Sequence, residues 1–151
     1  MIKNIEQKPF ILGSIFVLSN KLQTLSNQIY KEISIKQWFL LAVISKFQES
    51  APSLVQVSKI IGSSYQNVKK MALILEKKEF LNIIGDKNDK RILRLYMTEK
   101  CKNYFGATVE QEEQLTNDLF KDFDNNSLAT LYYGISKLVS NIEQMEEKYY
   151  E

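Results

Sequence analysis

Gln66, Lys69, Lys70 and Lys77 recur at a spacing that, at 3.6 residues per turn, sets them along one side of a helix. Ser64 and Tyr65 stand at its start. Amide, ammonium and hydroxyl groups so arranged can bond base edges and phosphate oxygens alike. The other side of the stretch carries Val68, Met71, Ala72 and Leu75 at i, i+3, i+4 and i+7, the pattern of a face turned to a core. Next comes Asp86-Lys87-Asn88-Asp89-Lys90-Arg91, a charged loop between two β-rich runs at residues 80–84 and 92–97. A short helix, a tight turn, a lysine-bearing helix and a basic hairpin together suit double-stranded DNA. The helix can lie in a major groove while the loop reaches the flanking backbone. The candidate contacts are Ser63, Ser64, Tyr65, Gln66, Asn67, Lys69 and Lys70 on the helix and its approach, with Lys87, Lys90 and Arg91 on the loop. A merely solvated helix face is the plainer reading of the same lysines; the adjacent hairpin tips the balance towards nucleic acid.

What is missing narrows the chemistry further. There is no histidine, and Cys101 is the one cysteine. These counts exclude a histidine base, a His-containing metal site and a Ser-His-Asp triad. They leave no intramolecular disulfide and fit a reducing cytoplasm. The signatures GxxxxGK[ST], GxGxxG and GxSxG are absent, and no acidic pair lies in an apolar setting that would tune its pKa. No enzymatic activity, metal or cofactor is expected. The net charge of +2 hides a gradient: residues 62–96 hold eight Lys/Arg against four Asp/Glu, whereas residues 97–151 hold five Lys against eleven Asp/Glu. The positive field coincides with the candidate contact surface, and the acidic end should face away from phosphates.

The elements that must position these groups are mostly helical, since 151 residues contain only two prolines and five glycines. Three serines start S-x-x-Q capping boxes, at Ser34, Ser53 and Ser63. Helices are expected over residues 9–31, 35–49, 54–61 and 64–78, with Gly62 closing the third in the left-handed conformation. The hairpin follows, then helices from a cap at Thr98 to about residue 123 and over 128–150, separated by a turn at 124–127. The apolar run at residues 10–18 is too short to span a bilayer. Leu12, Ile15, Leu18, Leu22, Leu25 and Ile29 carry a stripe straight through it, so a buried amphipathic helix is expected rather than a membrane segment. The terminal helices carry more apolar surface than the small centre can cover, which points to pairing with a second copy.

The chain resembles the MarR family of winged helix-turn-helix transcriptional regulators over nearly its whole length. Ile33-Ser34-Ile35-Lys36-Gln37-Trp38 is similar to the family's L-T-x-x-Q-W start of the second helix. The stretch from Leu54 to Gly62 is similar to its x-x-x-L-A-x-x-L-x helix, and that from Val68 to Lys78 to its V-T-R-x-V-x-x-L-E-x-x recognition helix. Asp89-Lys90-Arg91, followed by Met97-Thr98-Glu99-Lys100, is similar to the D-x-R…L-T-x-x-G wing signature. The resemblance implies a mainly α fold with a small β-hairpin wing, in one domain spanning residues 1–151. Residues 34–98 would form the winged helix-turn-helix DNA-binding lobe, and residues 1–33 and 99–151 the dimerisation helices. It also implies a dimer on a pseudo-palindromic operator, with Arg91 at the minor groove and Asp89 orienting it through a charge-assisted bond. A small-molecule effector between lobe and dimer helices would relieve repression, and Tyr30, Trp38, Phe39 and Phe47 are the candidate pocket residues. Three positions depart from the pattern. Glu79 replaces a glycine that usually ends the recognition helix, so strain or a different shape is expected there. Ile83 replaces an arginine before the wing, and Cys101 a glycine at a helix start, where it is expected to be packed rather than redox-active. A winged-helix interaction module that has lost DNA binding is the alternative reading.

Overall fold

Serine hydroxyls decide where several helices begin. Ser34 accepts from the Gln37 amide at 3.3 Å while the Gln37 side chain accepts from the Ser34 amide at 3.1 Å. Ser53 and Gln56 repeat the exchange at 3.2 and 2.8 Å. Both capping boxes are complete, each satisfying two backbone donors that a helix start leaves free. The third differs from expectation by one residue: Ser64, not Ser63, is the cap, and it accepts from the Asn67 amide at 3.3 Å. Ser63 instead belongs to the turn, its amide donating to the Ser58 carbonyl at 3.1 Å. Thr98 and Asp124 cap the last two helices through the amides of Cys101 and Ser127, at 3.2 and 2.7 Å.

In the computed structural model, which describes residues 6–150, the elements run α1 (Gln7–Ile29), α2 (Ile35–Ser45), α3 (Leu54–Ile61), α4 (Tyr65–Lys77), β1 (Leu81–Gly85), β2 (Leu93–Met97), α5 (Glu99–Phe120) and α6 (Asn125–Tyr150). The order matches expectation. Boundaries shift where capping chemistry intervenes: α2 stops four residues early, before Gln48-Glu49-Ser50, and α6 starts three residues early because Asp124 caps it. Gly62 lies at φ 62°, ψ 38°, the left-handed position that a glycine enters at no steric cost.

The described residues fall into two compact units, one ending at Thr108 and one beginning at Val109. In the first, α2, α3 and α4 close on the antiparallel hairpin, whose register pairs Leu81 with Met97, Ile83 with Leu95 and Gly85 with Leu93. Leu40, Leu41, Leu54, Val57, Val68, Leu75, Phe80, Leu81 and Leu95 are at most 1% exposed and form the core. At roughly 1.5–3 kcal/mol per fully buried large apolar side chain, this cluster dominates the stability of the lobe. Cys101 joins it as a packed thiol, and its burial raises the pKa to about 11.

One expectation is corrected here. The α1 stripe is not buried within its own unit: Leu12, Ile15, Leu18 and Leu25 are 43–60% exposed. The lobe core is already closed by other elements and takes up α1 near its C-terminal end, where Ser26 and Tyr30 are buried. In the second unit the latter part of α5 and all of α6 carry no buried residue among those described. Phe120, Leu128, Leu131, Tyr132, Ile135 and Val139 line an open apolar groove of about 610 Å³ there.

Candidate nucleic-acid interface

The inward residues of α4, Val68, Ala72 and Leu75, are fully buried, so its rotation about its axis is fixed by the core. Gln66, Asn67, Lys70 and Lys77 consequently stand exposed along the other side, while Ser63, Tyr65 and Lys69 are half-buried. Tyr65 packs partly on the core, leaving it less free than its neighbours to reach a ligand. The Ser64 hydroxyl accepts from Asn67 and keeps its own proton to donate outward.

At its far end α4 is tied down through a residue in an unusual conformation. Glu79 has φ 64°, the value that suits the glycine it replaces. Three bonds hold the segment in place. The Lys78 amine donates to the Glu32 carbonyl at 2.5 Å, Lys100 to the Lys78 carbonyl at 2.9 Å, and the Thr98 hydroxyl to the Glu79 carbonyl at 2.6 Å. Surrounding structure thus over-determines a backbone state that costs on the order of 1 kcal/mol or more for a residue with a Cβ.

The loop after β1 is ordered by two aspartates. Asp86 Oδ1 accepts from the amides of Asn88 and Asp89 at 2.9 and 3.3 Å, while the Asp86 amide donates to the Ile92 carbonyl at 2.8 Å. Gly85 lets the loop pack closely at the mouth, since a Cβ there would lie 3.2 Å from the Lys90 carbonyl oxygen, a contact tight enough to push that backbone back by a few tenths of an ångström. Asp89 takes both Nε and Nη2 of Arg91 at 3.0 Å and also accepts from the Arg91 amide at 3.0 Å. The bidentate pair fixes the plane of the guanidinium, yet the Arg91 side chain remains 91% exposed. The Arg91 side chain, and then its amide, hold the Asp89 carboxyl below the usual carboxylate range, so the pair persists as an ion pair into mild acid. Lys87 and Lys90 are exposed on the same loop.

The four aromatics expected to line one ligand pocket have different surroundings in the first unit. Tyr30 is buried and stacks on Trp38 with ring centroids 6.2 Å apart, and Trp38 in turn meets Phe105 at 6.2 Å. Phe39 opens on a cleft of about 430 Å³ with Leu22, Ile61 and Met71, whereas Phe47 lines a separate cleft of about 790 Å³ beside the wing. Sequence proximity groups these rings, but Tyr30 and Trp38 stack on each other, Phe39 is exposed on α2, and Phe47 lies two residues beyond the end of that helix. Sequence reasoning also missed Asp86 and Arg94, which bond to each other at the root of the wing. The one available signal was an arginine in a strand otherwise made of Leu, Tyr and Met.

No protein-family model matches the chain. Among curated proteins, it is 30% identical to the HTH-type transcriptional regulator YpoP of Bacillus subtilis over 113 residues, 72% of this chain and 75% of that protein. It is 25% identical to the transcriptional repressor MprA of Escherichia coli over 132 residues, 86% of this chain and 75% of the repressor. Among solved structures, a MarR protein from Peptoclostridium difficile superposes with a TM-score of 0.84 at 23% identity, covering 98% of this chain and 95% of that one. The S. aureus MepR–DNA complex superposes at 0.75 with 14% identity, covering 91% of this chain and 99% of MepR.

Proposed function

The chain belongs to the MarR family of winged helix-turn-helix transcriptional regulators, and from that premise we propose that it works as a homodimeric repressor on a pseudo-palindromic DNA site. The observation that carries the reading is the exposed polar face of α4 together with the outward, Asp89-held Arg91. In this reading Gln66 and Asn67 meet base edges, Lys69 and Lys70 meet phosphates, and Ser64 bonds the backbone at the helix start. Arg91, with Lys87 and Lys90 beside it, enters the adjacent minor groove. A wing arginine held flat by a carboxylate loses little freedom on binding, which favours tight and oriented contact.

Pairing is the second part of the proposal. The partner is another copy of this chain, because α1 and α6 each present a long apolar face that, among the described residues, its own unit leaves uncovered. A two-fold pair would present two recognition helices one DNA turn, about 34–36 Å, apart. Repression would be steric, and an effector would act by changing that spacing, since both half-sites must be met together.

The test is selection of genomic fragments with the purified protein, followed by titration of the recovered duplex over a range of salt. Tight binding that weakens steeply as salt rises supports the reading; no enrichment and no retention on random duplex ends it. Replacing Lys69 and Lys70 together by alanine should lower the slope of log K against log salt by about two units. An unchanged slope would remove both residues from the interface.

A further inference from the structure

The wing has a second anchor that neither the motif nor the family comparison assigns. Arg94 lies in β2 opposite Ile84, and its Nε donates to Asp86 Oδ2 across the mouth of the hairpin. The same guanidinium donates through Nη1 to the Ala51 carbonyl at 2.8 Å, in the segment joining α2 to α3. That segment also pairs with β2 through its backbone: the Leu95 amide donates to the Pro52 carbonyl at 2.9 Å, and Ser53 forms a bridge with Arg94. The main-chain bonds fix the root of β2 alone. The arm that leaves β1 is held to β2 by its backbone pairs and by the Asp86 amide, and Arg94 adds a side-chain link from it to the α2–α3 segment, because Asp86 directly follows β1 and its other oxygen holds the amides of Asn88 and Asp89.

We infer that Arg94 is the positioning residue of the wing, clamping Asp86 to the Ala51 carbonyl so that Arg91 is aimed before DNA arrives. Four features support it. Arg94 and Asp86 side chains are 29% and 14% exposed, so the pair is partly shielded from solvent. A guanidinium has the planar fork needed to serve a carboxylate and a carbonyl at once, which an ammonium cannot do at the same angles. Asp86 bonds both the wing's backbone and a cation anchored outside the wing. Finally, the Arg94 side chain, and then the Asn88 amide, hold Asp86 in its ionised form below the usual carboxylate range, so the clamp stays closed at neutral pH. Arg94 acts through other residues and its effect on DNA is indirect.

The inference rests on the DNA-binding reading for its consequence but not for its geometry, and two measurements separate them. The first is amide hydrogen exchange in the full chain without DNA. Arg94→Ala should speed exchange at Asn88 and Asp89 by about tenfold or more, while amides of α4 keep their protection. Unchanged wing exchange overturns the clamp whatever the protein binds. Arg94→Lys, which keeps the charge and the fold but not the fork, should exchange nearly as fast; if Lys restores protection, charge alone suffices and the two-sided clamp is wrong. The second is a double-mutant cycle on the selected duplex. Arg94→Ala should weaken binding about tenfold in the native background and hardly at all when Arg91 is already alanine, because the clamp has nothing left to aim. Equal losses in both backgrounds would mean that Arg94 touches DNA itself, and would overturn the positioning role. If Arg91→Ala and the Lys69/Lys70 pair both bind as well as the native chain, the DNA reading fails, and the exchange result alone judges the clamp.

Discussion

The lobe from α2 to β2 and the helix α6 are both amphipathic by sequence, yet they use their apolar residues in opposite ways. In the lobe, Leu40, Leu75, Phe80 and Leu95 are 0–1% exposed. In α6, Leu131, Ile135, Val139, Ile142 and Met145 are 41–55% exposed. Hydrophobic periodicity says that a face must be covered; it does not say by which molecule. The lobe closes on itself because three short helices and a hairpin meet at one point. A 26-residue helix presents its stripe over too great a length for anything within its own unit to cover. Stability and assembly are therefore encoded in different parts of the chain, and substitutions should separate them.

Phe80→Ala should have the largest effect, removing about 3–5 kcal/mol from the lobe by the lost transfer energy and the cavity left behind. Urea unfolding followed by circular dichroism would read it, and a loss below about 1 kcal/mol would break the contrast. Leu131→Lys combined with Ile135→Lys should leave the lobe folded but yield a species of monomer mass in sedimentation. Loss of bivalent engagement should weaken operator binding about 100-fold. A dimer that survives both lysines would move the pairing surface elsewhere.

Glu79→Gly tests the lobe from the stabilising side. Releasing φ 64° from its Cβ should add about 1 kcal/mol, seen as a higher unfolding midpoint. A fall would mean that the contacts of the Glu79 side chain outweigh the strain. The smallest effect concerns Cys101, whose burial raises the thiol from 9.0 to about 11 in the folded chain. The unfolded chain deprotonates first as pH rises. The stabilisation tied to this group is thus complete below about pH 9 and is lost as pH climbs towards 11. An aromatic disulfide reagent at pH 8 should label Cys101 only after denaturant is added. Rapid labelling of the folded chain would restore a reactive-thiol role.

Local chemistry was legible wherever a few adjacent residues settle the outcome. Ser34 with Gln37 and Ser53 with Gln56 announce their helix starts, Gly62 announces a left-handed end, and Asp89-Lys90-Arg91 announces a turn in which acid and base meet. Ser63 and Ser64 show the limit, since two adjacent hydroxyls offer the same cap and only the packing of Val68 and Leu75 chooses between them. The candidate contacts on α4 were readable for the same reason, because a helix's period divides its residues between two sides.

The order of elements, the inward and outward sides of α4 and the charged composition of the wing follow from the residues alone. The tertiary structure decided the rest: that Tyr30 and Trp38 stack on each other, and that the stripe of α1 stays uncovered within its own unit. It also decided that Arg94 spans from Asp86 to Ala51, 43 residues earlier in the chain. The reason is one of range. Caps, turns and helix faces are fixed by bonds between residues a few positions apart, whereas burial and anchoring depend on which distant surfaces the folded chain brings within reach of one side chain.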